Sequence, residues 1–208
     1  MNEPLDLTAL SVADRHRAVA ARFGDLVGST SDWSAPTPVS EWSAADVVDH
    51  LLEWFPGFLA AGGVPLREVQ TSEGGARMAA WVERAGEIQT LLDDVDTATK
   101  PFVHPFAGTH TLGDAIDRFY TVDVFMHTWD LARAVGGDDR LDPVWSRELL
   151  AGLRAIEPVL RSSGHYGPAV EVDPGADAVD QLMGFIGRDP RWRRPNIGRS
   201  SAGERRNP

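Results

Sequence analysis

Apolar side chains recur every three or four residues along much of this chain, which is the period of an α-helix with one buried face. In the first such segment Val12, Val19 and Phe23 share a face, and in the second Leu51 and Phe55 do so. The same pattern predicts helices over residues 11–27, 43–61, 75–92, 112–135, 142–157 and 177–186. We therefore expect a mainly α protein whose helices pack as a bundle.

Capping and helix-breaking residues indicate where these helices begin and end. Ser43, followed three residues later by Asp46, forms an aspartate version of the capping box. Pro56 is predicted to kink or break the second helix. Residues 97–111 are rich in Pro, Gly and β-branched side chains, which predicts a short β-hairpin or an irregular crossover. Residues 169–172 have the composition of a short strand.

Two ionisable residues interrupt the apolar face of the fourth helix. Asp123 and His127 are four residues apart, so their side chains lie on the same face. His50 lies at the edge of the apolar stripe of the second helix. Buried charged groups need a partner or a metal ion. Two histidines and one carboxylate on helices expected to meet therefore predict a metal site, with zinc or ferrous iron as the leading candidates.

Simpler interpretations of the same residues stay open at this point. His50 alone is typical of a hydrogen-bonded core histidine, and Asp123 with His127 is typical of a self-satisfied ion pair. Asp130 follows His127 by three residues and has two interpretations. It either orients a ligand histidine or pairs with Arg133 on its own helix.

The composition of the chain limits the kinds of partner that the protein can bind and indicates the cellular compartment in which it occurs. The 208 residues include 20 Lys and Arg against 31 Asp and Glu, and the formal net charge of −11 argues against nucleic-acid binding. The chain has no cysteine, which excludes disulfides, thiolate metal ligands and a thiol nucleophile of its own. Its apolar runs are too short to cross a membrane, and no signal sequence is visible. We therefore expect a soluble cytoplasmic protein.

The charge distribution divides the chain into two parts. We expect a single metal-binding helical-bundle domain over residues 1–190 and a basic tail over residues 191–208. The tail holds six arginines and one glutamate, and Gly, Ser and Pro are frequent in it. This composition predicts a flexible, solvated terminus. The alternative is an electrostatic latch onto the acidic body or an acidic partner.

Two sequence blocks resemble a known family. Residues 36–51, PTPVSEWSAADVVDHL, are similar to the PTPC-x-x-W-T-V-x-D-L-x-x-H block of actinobacterial DinB-like proteins related to the mycothiol-dependent maleylpyruvate isomerases. Residues 123–134, DVFMHTWDLARA, resemble the D-x-x-x-H-x-W-D-L-A-R-A block of the same proteins. Residues 182–192, LMGFIGRDPRW, are similar to the ending of one subgroup. The resemblance covers about residues 33–192.

The resemblance implies a DinB/YfiT-like four-helix bundle with additional C-terminal helices and a divalent metal at one end. The first histidine ligand of the family falls on His50, and the later carboxylate and histidine ligands fall on Asp123 and His127. In the isomerases the carboxylate is a glutamate, so Asp123 has a shorter side chain than that pattern. Zinc is the leading metal, with nickel, iron or manganese as alternatives. The family chemistry implies a low-molecular-weight thiol such as mycothiol as cofactor.

Three functions fit these observations. The first is a metal-dependent, thiol-using S-transferase or isomerase that acts on a small electrophilic substrate. The second is a non-catalytic metal-binding or small-molecule-sensing bundle, in which His104 or His110 would complete a closed site. The third is a metal-free interaction module. For the first two we expect a small-molecule partner, no nucleic acid and no membrane, and a monomer or a homodimer.

Overall fold

Four long helices form the body of the protein. The computed structural model describes residues 6–69, 74–163 and 166–195. The four helices are α1 (Val12–Ser29), α2 (Ala44–Ala61), α3 (Gly74–Asp93) and α6 (Val122–Val135). Helices α1 and α2 each pack against both α3 and α6, which closes a four-helix bundle. The prediction of a mainly α, DinB-like bundle is therefore confirmed.

Shorter elements connect and flank the bundle. They are α4 (Val95–Ala98), β1 (Pro101–His104), β2 (Gly108–Thr111), α5 (Leu112–Ala115), α7 (Pro143–Ala155), α8 (Glu157–Ser163) and α9 (Ala178–Phe185), with a 3₁₀ turn at Leu7–Ala9. Strands β1 and β2 pair antiparallel, with Phe102 opposite His110. Of the two expectations for residues 97–111, the hairpin is the one that forms.

Aromatic side chains fill much of the space between the helices. The ring of Phe23 on α1 lies 4.5 Å from that of Trp81 on α3, and the indole Nε1 of Trp81 donates to the Ala20 carbonyl oxygen at 3.2 Å. On the other side, Phe55 of α2 stacks on Tyr120 with ring centroids 4.3 Å apart. These contacts join α1 to α3 and α2 to the segment before α6 through buried rings. Aromatic pairs of this kind contribute stability beyond that of their buried area.

Local structure differs from the sequence prediction at three places. Helix α2 has the predicted bounds but is not broken at Pro56, because Phe55 and Leu59 on either side are fully buried and hold both halves in the core. Helical structure also continues past Pro158 as α8, since proline is well tolerated in the first turn of a helix. Residues 169–172 form no strand. Val170 instead donates its backbone N–H to the Gly184 carbonyl oxygen on α9.

The helix predicted over residues 112–135 is interrupted by a π-helical segment at Ile116–Thr121. A π-helix places more residues in each turn than an α-helix, so it changes the direction in which the following side chains point. Such segments are frequent at functional sites. Here the segment lies directly before α6 and sets the rotation with which α6 presents Asp123 and His127 to the bundle.

The C-terminal part of the structure packs back onto the bundle. Helix α9 packs against α7, and after it Arg194 forms an ion pair with Asp32 and donates to the Ala134 carbonyl oxygen. Residues 196–208 of the predicted basic tail lie outside the described residues. No helix among the described residues has the length and apolar character needed to cross a lipid bilayer.

Candidate metal centre

Helix α2 positions the first predicted ligand. Its N-terminus has the capping box expected from the sequence: the Ser43 hydroxyl accepts from the Asp46 backbone N–H, and the Asp46 carboxylate accepts from the Ser43 backbone N–H. Val47 and Leu51 are fully buried and fix the rotation of the helix. His50 therefore lies at the rim of the core, with 31% of its side chain exposed.

Helix α6 brings the other two predicted ligands to the same place. The His50 Nε2 atom lies 3.2 Å from Asp123 Oδ2, and the His127 Nε2 atom lies 3.6 Å from Asp123 Oδ1. One donor atom from each of the three side chains can be chosen so that all lie within 4.8 Å of one another. The spacing of D-x-x-x-H on one helix and a histidine on its neighbour thus yields a compact cluster.

These donors suit a divalent metal ion. Ligand atoms around tetrahedral zinc, at bond lengths of about 2.0–2.2 Å, lie about 3.4 Å apart. The observed separations of 3.2 and 3.6 Å between nitrogen and carboxylate oxygen are close to that value. Two imidazoles and a carboxylate are also a donor set that zinc and other first-row divalent ions accept.

The Asp123 carboxylate is held in its charged form. Burial by itself would raise the pKa of Asp123, but His127 and His50 beside it outweigh burial and hold the pKa below its ordinary value. Trp54, one turn after His50, donates its indole N–H to Asp123 Oδ2 at 3.0 Å. An ionised, oriented carboxylate between two imidazoles is what a cation requires.

The second nitrogen of His127 is held by another carboxylate. His127 Nδ1 lies 2.9 Å from Asp130 Oδ2, and Asp130 is fully buried. Burial would raise the pKa of Asp130, but Arg188 and His127 outweigh it and lower the pKa. Because an ionised carboxylate only accepts hydrogen bonds, His127 donates from Nδ1, and this contact directs its Nε2 atom at the cluster.

The two interpretations of Asp130 are thereby resolved. Asp130 contacts His127 and Arg188, whereas Arg133 forms an ion pair with Asp139 and lies over the Trp129 ring at 4.6 Å. Sequence reasoning did not identify Arg188, which is 58 residues from Asp130 along the chain. The available signal was that a carboxylate on a buried helix face requires a cationic partner.

Two tryptophans line the cluster. The ring centroid of Trp42 lies 5.0 Å from that of His50 and 5.6 Å from that of His127. Trp54 lies 6.1 Å from His50. Trp42 follows Glu41, which has a positive φ of 66°, a backbone conformation that side chains other than glycine seldom adopt and that often accompanies functional sites. The two indole rings thus form part of the surroundings of the imidazoles.

The other described histidines lie apart from the cluster. His104 stacks on Phe58 and accepts backbone N–H bonds at Nδ1, and His110 contacts the Ala107 carbonyl oxygen. His16 contacts the Gln89 side chain. Within the described residues, no fourth histidine or carboxylate therefore joins the group formed by the three predicted ligands. Asp130 contacts this group only through the other ring nitrogen of His127. His165 lies outside the described residues.

Comparisons with known proteins show which proteins this chain is similar to. The sequence profile of the mycothiol maleylpyruvate isomerase N-terminal domain matches residues 16–132, which include the three predicted ligands. Rv0738 and MT0763, uncharacterized proteins of two Mycobacterium tuberculosis strains, are each 29% identical to the chain over 182 residues. The alignment covers 85% of this chain and 97% of each relative. No solved structure is a significant match.

Proposed function

This chain belongs to the family of mycothiol maleylpyruvate isomerase N-terminal domains, and from that premise we propose that it binds a divalent metal ion through His50, Asp123 and His127. The observation that carries the proposal is the approach of one donor atom from each of these side chains to within 4.8 Å of the others. The ionised Asp123 and the fixed orientation of His127 add to it. Zinc is the metal we expect first.

We further propose that the site serves a thiol-dependent S-transferase or isomerase. A bound divalent ion would supply Lewis acidity and favour the thiolate form of a thiol near neutral pH. The chain has no cysteine, so the thiol has to come from a small molecule. The name of the family supports a mycothiol-like compound. Three protein ligands leave coordination positions open for such a thiol.

The chemistry of the thiol is the same in its first step for both reactions. In a transfer, sulfur bonds to an electrophilic carbon and the leaving group departs with the electrons of its former bond. In an isomerisation, the thiolate sulfur bonds to one carbon of an activated cis double bond while the π electrons move to the activating carbonyl group. The resulting single bond rotates, the electrons return to re-form the double bond, and the thiolate leaves with the electrons of the carbon–sulfur bond. The rings of Trp42 and Trp54 beside the histidines would shield a reacting thiolate from water.

One observation favours the second candidate, a metal-binding protein without catalytic activity. A cavity of about 800 Å³ lies between α1, α6 and the loop after α6 and is lined by Arg22, Phe125 and Trp129 among others. Of the described residues that line this cavity and a smaller one near α7, none belongs to the His50, Asp123 and His127 cluster. Neither cavity would therefore bring a substrate to the cluster.

A thiol-consumption assay separates the two candidates. The zinc-loaded protein is incubated with mycothiol and a small electrophile such as a haloalkane, and free thiol is followed over time. The catalytic proposal predicts consumption well above the uncatalysed rate, lost in His127→Ala, and a cis-to-trans change in a parallel assay with a cis-unsaturated diacid if the activity is isomerisation. Zinc binding without a rate enhancement on either substrate class would favour the non-catalytic alternative.

A further inference from the structure

The C-terminal segment reaches the candidate metal centre through one side chain. Arg188 Nη2 donates to Asp130 Oδ2 at 3.1 Å, and its Nε lies 3.4 Å from both oxygens of that carboxylate. Asp130 is fully buried, and Arg188 is only 13% exposed. The same Asp130 oxygen accepts the hydrogen bond from His127 Nδ1. A continuous chain of contacts therefore joins Arg188 to a predicted metal ligand.

The end of helix α9 determines where Arg188 lies. Gly187 has a φ of +93°, and the Arg188 backbone N–H donates to the Met183 carbonyl oxygen at 2.9 Å, which is the Schellman arrangement of a helix C-terminus. This reversal directs the chain back to the bundle. The Arg188 guanidinium also donates to the Ile186 carbonyl oxygen at 3.1 Å. The guanidinium is thus held by the backbone of its own segment as well as by Asp130.

We propose that Arg188 is a positioning residue: it fixes the Asp130 carboxylate, which accepts from His127 Nδ1 and so holds the ring with Nε2 directed at Asp123. Carboxylates that accept from a ligand histidine orient the ring. Asp130 can do so only while its own position is fixed, and Arg188 supplies the hydrogen bonds and the opposite charge that fix it. Its part in metal binding rests on the proposed function, whereas its part in orienting the His127 ring does not.

Arg188 lies beyond residues 16–132, the region that matches the family profile. The C-terminal segment therefore does more than cover the bundle. It supplies a charge that the buried Asp130 requires, and so the arrangement of His127 depends on the correct docking of α9. A chain that retains all three predicted ligands but lacks this segment is expected to hold His127 in more than one orientation.

The proton on His127 Nδ1 can be observed without any metal. In protein labelled with ¹⁵N-histidine, long-range ¹H–¹⁵N correlation spectra at neutral pH show whether Nδ1 carries a proton, and His127→Ala identifies the His127 resonances. Wild type is expected to show a protonated Nδ1. Arg188→Gln is expected to show partial loss of the Nδ1 proton or exchange broadening, while Arg188→Lys, which keeps the charge, restores most of the wild-type signal.

Arg191→Gln is the matched control. It removes the same charge from the same segment, but the Arg191 side chain is 84% exposed and pairs with Asp189. We expect its His127 resonances to be those of wild type. In zinc competition titrations, Arg188→Gln is expected to bind zinc about 10- to 100-fold more weakly than wild type, Arg188→Lys to lose less, and Arg191→Gln to be unchanged.

The outcomes distinguish this inference from the proposed function. If wild type does not bind zinc but the Nδ1 proton of His127 follows the predicted series, the metal function fails and the positioning role stands. If wild type binds zinc and Arg188→Gln retains both the Nδ1 proton and the affinity, the positioning role is wrong. Should circular dichroism show that Arg188→Gln is unfolded, Arg188→Lys and wild type decide: an unprotonated Nδ1 of His127 in wild type contradicts the inference.

Discussion

Asp123 is the residue on which the candidate site depends. Its two oxygens lie between His50 and His127, and Trp54 donates a third contact. A buried carboxylate is unfavourable unless such partners compensate it. These partners hold Asp123 ionised, so the three proposed ligands already lie together before any cation binds.

We expect Asp123→Asn to weaken zinc binding by at least about 100-fold, because the change removes the charged ligand that lies between both histidines. Isothermal titration calorimetry with zinc measures this directly. Asp49→Asn is the control, since Asp49 precedes His50 on the same helix but pairs with Arg77. Equal zinc affinities of Asp123→Asn and wild type would contradict the assignment of Asp123 as a ligand.

His16 is a buried histidine outside the site and makes stability depend on pH. Burial lowers the pKa of His16 below its ordinary value of 6.5. The unfolded chain therefore takes up this proton at a higher pH than the folded protein, and stability falls as pH decreases below about 6.5. In His16→Phe, urea unfolding without metal at pH 7 and pH 5 should show a smaller loss of stability than wild type. Equal losses would exclude this role for His16.

At the scale of elements, the sequence predicts the parts that follow helical periodicity. Val47 and Leu51 fix the face of α2, and the i, i+4 spacing of Asp123 and His127 fixes their common face on α6. The π-helical segment at Ile116–Thr121 was not predicted, because apolar periodicity does not distinguish one extra residue in a turn. The partner of Asp130 was not predicted for another reason. The position of Arg188 depends on how the segment after α9 packs against the bundle, and the local hydrophobic pattern does not encode such long-range contacts.

The end of α2 is fixed by its contact with the β-hairpin. A Cβ atom at Gly62 would lie 2.1 Å from the ring of Phe102, which is 1% exposed. We expect Gly62→Ala to lower the free energy of unfolding by about 1–3 kcal/mol, because ring and backbone must shift to make room. Urea denaturation measures the change.

Gly57→Ala provides the control on the same helix. A Cβ at Gly57 meets no atom within 4 Å, so alanine there should stabilise the helix by about 0.5–1 kcal/mol. If Gly62→Ala proved as stable as Gly57→Ala, the close contact between α2 and the hairpin would be wrong.

At the scale of the whole molecule, distant parts of the chain meet at the candidate site. Helix α2 contributes His50, α6 contributes Asp123 and His127, and the segment after α9 contributes Arg188. Each of these side chains contacts at least one residue outside its own element. A metal ion bound at this point would link α2 to α6 and should therefore stabilise the folded protein as a unit.

We expect zinc to raise the melting temperature. At a free concentration of about 100 times the Kd, binding adds about 2.7 kcal/mol, which corresponds to about 5–10 °C for a domain of this size. Differential scanning calorimetry of wild type and His50→Ala tests this. His50→Ala should show a much smaller shift, and a shift as large as in wild type would indicate that zinc binds elsewhere.

The central claim is that His50, Asp123 and His127 form a metal site, and the metal content of the protein tests it most directly. Elemental analysis of wild type and His127→Ala, both purified without a metal-binding tag, measures bound zinc, nickel, iron and manganese. We predict about one equivalent of a divalent metal in wild type and a small fraction of that in His127→Ala. Wild-type protein that contains no metal and takes up none when zinc is added would contradict the claim.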